Sequence, residues 1–182
     1  GQATIKIPTE QLGELKVIVE YQENDIYLAS NATNESAIGT PDENITVIDV
    51  TKIPTKTTVE ILNTTLSNVT IGVKVTNMTD SPVTTGEVFV KDLDGNKIAE
   101  ATLTDGEATI TIPATQAGEL KVIVEYQENE YYLASNATNE SAIGTPDENI
   151  TVIDVTKIPT KTIAEVLNNT VGNVTIGVSV TN

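Results

Sequence analysis

Short runs of alternating apolar and polar residues recur along this chain of 182 residues. In residues 68–76, valine or isoleucine occupies every second position from Val69 to Val75, and threonine, glycine or lysine stands between them. Because successive side chains of a strand point to opposite faces, this pattern predicts one buried and one solvated face. No stretch of ten or more residues has a clean period of 3.6, so any helix is expected to be a single turn.

Seven such runs lie between residues 51 and 155, at the spacing expected of a β-sandwich. The third and fourth flank Asp94-Gly95, a dipeptide that favours a tight hairpin because both residues tolerate positive φ angles. The predicted strands are Thr57–Leu62, Asn68–Thr76, Glu87–Leu93, Lys97–Leu103, Ala108–Ile112, Leu120–Tyr126 and Asn149–Val155.

The chain contains a long internal repeat. Residues 1–77 realign on residues 106–182 at an offset of 105, and the two copies differ at 14 positions. A period of 105 residues is the size of one β-sandwich domain. Since Thr51-Lys52-Ile53-Pro54 recurs as Thr156-Lys157-Ile158-Pro159, residues 51–155 are predicted to form one complete repeat. Residues 1–50 then match the C-terminal part of a preceding repeat, and residues 156–182 match the N-terminal part of the next.

The composition excludes several function classes. The chain has no cysteine and no histidine, which removes thiol and imidazole chemistry and the usual zinc sites. A net charge of −16 would repel nucleic acid. Paired carboxylates can hydrolyse glycosides, but the chain has no tryptophan to hold a sugar, so we expect no enzyme activity. No apolar run approaches the roughly 20 residues that span a bilayer, and any export signal is expected outside these residues.

Three stretches of the complete repeat resemble a known family. They are Gly86–Val90 with Asp94-Gly95-Asn96, Thr104–Pro113 with Ala117-Gly118, and the pattern Tyr126, Tyr132, Ser135, which recurs as Tyr21, Tyr27 and Ser30. In these stretches the chain resembles the bacterial Ig-like repeats that occur in tandem on cell-surface proteins, including adhesin-like proteins of methanogenic archaea. The resemblance implies an all-β, Ig-like β-sandwich of about seven strands per repeat and an extracellular, cell-surface location.

Asn-X-Ser/Thr sequons are unusually frequent. The composition predicts about three by chance, whereas eleven occur. N-linked glycans are therefore expected on accessible loops, above all at Asn136 and Asn139. The alternative is that asparagine and threonine simply suit turns and strands on a polar exterior. The candidate acceptors are Asn31, Asn34, Asn44, Asn63, Asn68, Asn77, Asn136, Asn139, Asn149, Asn168 and Asn173.

Oxygen-rich turns are weaker candidates for a calcium site. Asp92, Asp94 and Asn96 carry suitable ligand atoms, but their spacing is too short for an EF-hand loop and a hairpin explains it. Two acidic pairs are candidate ion ligands at a junction between repeats, although a solvated acidic loop is favoured. They are Asp42-Glu43 and Asp147-Glu148. We therefore expect no metal or other cofactor.

A covalent crosslink is a further candidate. Similar Gram-positive surface stalks carry Lys-Asn isopeptide bonds assisted by a buried carboxylate. Lys56, Glu87 and Asn149 supply these residue types, on three different predicted strands. The alternative is that Lys56 is a solvated edge charge that prevents strand pairing.

Two function hypotheses follow. The first is a structural repeat segment of an extracellular adhesin-like stalk or fibre that spaces and presents a binding region. Its partners are adjoining repeats, with host or microbial surface ligands bound elsewhere. The second is a filament subunit polymerised head-to-tail, in which residues 156–182 of one chain complete residues 1–50 of the next by strand addition. In that pairing, counterparts of residues 78–105 would be missing.

Overall fold

The computed structural model describes residues 1–182 and divides them into two compact units, Gly1–Ile53 and Pro54–Asn182. Both units consist of β-strands, turns and one-turn 3₁₀ segments at Glu35–Ala37 and Glu140–Ala142. The protein is therefore all-β, as the alternating pattern predicts. None of its helical segments is long and apolar enough to cross a membrane.

The first compact unit contains four short strands. They are β1 (Gly13–Val17), β2 (Glu20–Tyr21), β3 (Ser30–Asn31) and β4 (Thr46–Val50). β1 pairs antiparallel with β4, and β2 pairs antiparallel with β3. Each pair forms a separate two-stranded sheet.

The second compact unit contains ten strands. They are β5 (Thr55–Thr65), β6 (Asn68–Asn77), β7 (Glu87–Lys91), β8 (Lys97–Thr102), β9 (Glu107–Ile112), β10 (Gly118–Tyr126), β11 (Ser135–Asn136), β12 (Thr151–Val155), β13 (Lys161–Thr170) and β14 (Asn173–Thr181). All strand pairs in these sheets are antiparallel.

Strands β5 to β12 form a β-sandwich. One sheet has the order β5-β6-β9; the other has the order β8-β7-β10, and β10 also pairs with β11 and β12. Their inward faces share one continuous core, in which valine and isoleucine predominate. The core residues are Val69, Ile71, Val73, Val75, Val83, Val88, Val90, Leu103, Ile110, Ile112, Val122, Val124, Tyr126, Ala137, Ile153 and Val155.

All seven predicted strands are present, with small differences at their ends. β7 stops at Lys91 because the carboxylate of Asp92 accepts hydrogen bonds from the backbone nitrogens of Asp94 and Asn96, which starts the hairpin turn. β5 continues to Thr65 through a bulge between Ile61 and Asn63. The two-residue strand β11 was not predicted, since so short a segment carries no periodicity.

The partial repeats fold locally as the complete repeat does. β1 pairs with β4 in the register Gly13 to Val50, which reproduces the pairing of Gly118 with Val155. The hairpin β13–β14 likewise repeats the hairpin β5–β6, including a bulge at the same place. Local strand pairing therefore follows the repeated sequence.

The chain enters and leaves the complete repeat at opposite ends. Thr156, just after β12, lies beside the far end of β5: its backbone nitrogen donates to the Thr64 oxygen at 2.8 Å, and its oxygen accepts from the Leu66 nitrogen at 2.8 Å. β5 begins at Thr55 and ends at Thr65, which forms a β-bridge with Thr156. At about 3.3 Å per residue, these points are about 33 Å apart. Four residues, 157–160, then connect Thr156 to β13.

Candidate glycosylation sites and exposed apolar strands

The eleven sequon asparagines differ in exposure. Five are exposed to solvent: Asn31, Asn44, Asn68, Asn149 and Asn173. Six are partly buried: Asn34, Asn63, Asn77, Asn136, Asn139 and Asn168. The exposed group is therefore the more accessible of the two to a modifying enzyme.

Several sequons form compact side-chain turns. The Asn77 side-chain oxygen accepts from the Thr79 nitrogen at 2.9 Å, the Thr79 hydroxyl at 2.8 Å and the Ser81 nitrogen at 3.0 Å. The Asn168 oxygen accepts from the nitrogen and the hydroxyl of Thr170, both at 3.0 Å. These bonds use the amide oxygen and leave the glycan-bearing nitrogen out of the turn.

Asn136 and Asn139, which are both expected in one loop, lie in different structural elements. Asn139 is in the loop between β11 and β12, where its side-chain oxygen accepts from the Ser141 nitrogen at 3.2 Å and caps the 3₁₀ turn. Asn136 is on β11, opposite Glu125 of β10, and its side-chain oxygen is buried without a hydrogen-bond partner. Asn136 is therefore a strand residue rather than a loop residue. Glycosylation at either position stays a prediction.

Tyr126 closes one end of the sandwich. Its ring is fully buried, and its hydroxyl donates to the Thr85 backbone oxygen at 3.0 Å and accepts from the Asn129 side-chain nitrogen at 2.8 Å. Burial, together with neighbouring Tyr132, raises the pKa of Tyr126 above its usual 10.0. In the complete repeat, the first tyrosine of the motif is thus a core residue, whereas its counterpart Tyr21 is 47 % exposed.

Replacing Tyr126 by phenylalanine is expected to lower the free energy of unfolding by about 1–2 kcal/mol, because the Thr85 oxygen loses its donor. The wild-type stability should also fall as the pH rises above 10, since the raised pKa means that the unfolded state releases this proton first. Denaturant titrations at pH 7 and at alkaline pH measure both effects.

The matched control is Tyr131→Phe, because Tyr131 is 45 % exposed. It should leave the stability at pH 7 unchanged. Equal losses for the two variants, or an unaltered alkaline dependence in Tyr126→Phe, would contradict the core role of Tyr126.

Hydroxyl groups join β5, the first strand of the complete repeat, to the short strand β11. The Ser135 hydroxyl lies 2.7 Å from the Thr55 hydroxyl and 2.8 Å from the Thr57 hydroxyl. Thr57 is buried, and the Thr55 hydroxyl also donates to the Leu133 oxygen at 2.9 Å. These hydrogen bonds hold the beginning of β5 against β11.

The acidic candidates are engaged in their own turns. Hydrogen bonds from Asn96 hold the pKa of Asp92 below its usual 3.8, with smaller contributions from the backbone of Asp94 and Gly95. The Glu148 carboxylate accepts from the Gly144 nitrogen at 3.0 Å inside the loop before β12. No group of three or more acidic residues is arranged to hold a metal ion.

The crosslink candidates do not meet in the core. Lys56 lies on β5 and Glu87 on β7, which belong to different sheets, and Asn149 precedes β12. All three residues are exposed. The arrangement needed for a buried isopeptide bond is therefore not assembled from these residues.

The partial repeats expose residues whose counterparts form the core. In β14, Ile176 and Val178 are each 59 % exposed, whereas Ile71 and Val73 of β6 are 0 % and 2 % exposed. In the first compact unit, Ile48 is 38 % exposed, whereas its counterpart Ile153 is fully buried. The same sequence is therefore covered in one context and uncovered in the other.

Neither a protein-family model nor a curated protein matches the sequence. The complete repeat shows which residues are buried when all of its strands are present.

Proposed function

We propose that this chain is a structural repeat segment of an extracellular, adhesin-like surface stalk or fibre. In this proposal, Ig-like sandwiches are joined in tandem and hold a binding region away from the cell. The observation that carries it is the position of the two junctions: the chain enters the complete repeat beside Thr55 and leaves it beside Thr65 and Thr156, at the other end of β5.

Tandem repeats joined in this way add length. Thr156, the first residue of the next repeat, forms backbone hydrogen bonds with Thr64 in β5 and with Leu66 just after β5, and only four residues separate it from the next strand, which begins at Lys161. Pro159 lies in this linker and restricts its backbone. Each repeat is therefore expected to extend the array instead of folding back beside its neighbour.

The strand order supports an Ig-like sandwich. The sheet β5-β6-β9 faces a second sheet, in which β7 and β10 are the central strands. A β-bridge between Thr57 and Ala137 links β5 to the residue that follows β11. The buried Tyr126 at the end of β10 donates its hydroxyl to the Thr85 backbone oxygen, which joins this end of β10 to the segment before β7.

The surface chemistry supports an extracellular role. A net charge of −16 keeps neighbouring chains apart in solution, and exposed sequons such as Asn68 and Asn149 offer sites for N-linked glycans. Ligands on host or microbial surfaces would be bound by other parts of the protein. The proposal includes no catalytic role and no cofactor.

The test uses the protein from its native source. Protease added to intact cells should remove these residues, and the denatured polypeptide should remain far heavier than 19.3 kDa after its glycans are removed. Peptides containing Asn149 should carry glycans, while peptides containing Asn129, which is outside any sequon, should not. Protection from the protease together with unmodified sequons would overturn the proposal.

A further inference from the structure

A groove lies beside the first strand of the complete repeat. Two parallel β-bridges, Thr57 with Ala137 and Thr65 with Thr156, join the ends of β5 to the C-terminal part of the repeat. Between these bridges, β5 pairs with β6 and β12 pairs with β10, but β5 and β12 do not pair with each other. A cavity of about 240 Å³, here named the β5–β12 groove, opens between the two strands.

The lining of the β5–β12 groove combines apolar and polar side chains. Ile61 of β5 and Val152 of β12 line it and are 43 % and 41 % exposed. Asn139 and Glu140, in the loop between β11 and β12, also line it. Sites for small ligands commonly pair apolar walls with a few polar groups. A sugar ring suits such a groove, because it carries C–H groups on its faces and hydroxyls around its rim.

Asn139 connects this groove to the sequons, since no other sequon asparagine of the complete repeat lines it. We propose that Asn139 carries an N-linked glycan whose first sugar lies in the β5–β12 groove. The inference rests on the extracellular role proposed above, because sequons are modified in secreted proteins. The donor is a lipid-linked sugar phosphate. The Asn139 side-chain nitrogen bonds to the anomeric carbon and loses a proton, while the bond from that carbon to the phosphate oxygen breaks.

The local structure holds Asn139 in place for this role. Its side-chain oxygen accepts from the Ser141 nitrogen at 3.2 Å, and its backbone nitrogen donates to the Glu148 oxygen. These two bonds leave the side-chain nitrogen available to carry the sugar. A sugar attached here starts from a fixed point at the groove, so little freedom is lost when it packs against Ile61 and Val152.

The first test is the occupancy of the individual sequons. Mass spectrometry of the protein from its native source, with fragmentation that keeps glycans on their peptides, should find a glycan on Asn139. An unmodified Asn139 would overturn the inference. If Asn68 or Asn149 carries a glycan in the same sample, the proposed function stands and only this inference fails.

The second test removes the sequon without removing the asparagine. Ser141→Ala should abolish glycosylation of Asn139 while keeping the backbone nitrogen that its side chain bonds. In the glycosylated full chain, this variant should raise the unfolding equilibrium constant about tenfold, the change expected when roughly 55 Å² of apolar surface is uncovered. The same variant made in a host that does not glycosylate should change it by less than about threefold, since Ser141 is exposed.

The matched control is Asn68→Gln, which removes a sequon at an exposed residue outside the groove. In the glycosylated chain it should change the unfolding equilibrium constant by less than about threefold. Equal effects of Ser141→Ala and Asn68→Gln, or an effect of Ser141→Ala that is the same with and without glycosylation, would overturn the role of the groove.

The position of the sugar is measured directly by nuclear magnetic resonance of the glycosylated full chain. Nuclear Overhauser effects should join protons of the first sugar on Asn139 to methyl groups of Ile61 and Val152. The methyl groups of Leu93, which is 52 % exposed but lies outside the groove, should show none. A glycan on Asn139 without contacts to Ile61 or Val152 would overturn the inference and leave the proposed function intact.

Discussion

Replacing Ile71 by alanine is expected to lower the free energy of unfolding of the complete repeat by about 2–5 kcal/mol. Ile71 is fully buried in the centre of β6, paired with Ile61 of β5 and Ile110 of β9. The substitution leaves a cavity that the two facing sheets fill only in part, because close-packed cores relax little. Denaturant unfolding followed by circular dichroism measures the loss.

The repeat supplies an unusually close control for this prediction. Ile176 has the same neighbours in sequence and the same place in its hairpin, but it is 59 % exposed. Ile176→Ala should change the stability of the complete repeat by no more than about 0.5 kcal/mol, because this side chain is already exposed. Similar losses for both variants would mean that burial does not distinguish the two copies.

Replacing Gly86 by alanine is expected to lower the free energy of unfolding by about 2–6 kcal/mol, through two separate effects. Gly86 has a φ of +121°, which strains any residue with a side chain. A Cβ atom at this position would also lie 2.5 Å from the Tyr126 ring and 2.7 Å from its hydroxyl oxygen. The ring would have to move and lose its bond to the Thr85 oxygen.

The substitution Gly118→Ala distinguishes the backbone strain from the clash with the Tyr126 ring. It has the same φ of +121°, but no heavy atom lies within 4 Å of the position that its Cβ would take. Gly118→Ala should therefore lower stability by about 1–3 kcal/mol from backbone strain alone. In a Tyr126→Ala background, Gly86→Ala should become nearly as mild as Gly118→Ala, since no ring is left to displace. Equal effects of the two glycine variants in the wild-type background would contradict the close approach of Gly86 and Tyr126.

The strands could be predicted because their residues carry the signal locally. Alternation from Val69 to Val75 predicts which face of β6 is buried, and the structure buries these residues. The repeat of 105 residues likewise predicts that β13–β14 pairs as β5–β6 does. Hairpin pairing depends on neighbours in sequence, which a single sequence contains.

The long-range arrangement could not be predicted in the same way. The meeting of Thr57 with Ser135, and of Thr64 with Thr156, joins residues far apart in sequence, and no periodicity encodes such contacts. Asn136 is expected in a loop because it begins the long stretch before the last predicted strand, yet it lies on β11 opposite Glu125. Exposure of individual sequons depends on these tertiary contacts, so the motif alone could not rank them.

The separation of entry and exit in the complete repeat is the central structural basis of the proposed stalk. Small-angle X-ray scattering on chains that contain one and two complete repeats tests it directly. One added repeat should increase the maximum dimension by about 35–45 Å, the length of β5 plus a four-residue linker. An added repeat that leaves the maximum dimension nearly unchanged would show that the repeats pack side by side, and would contradict the account.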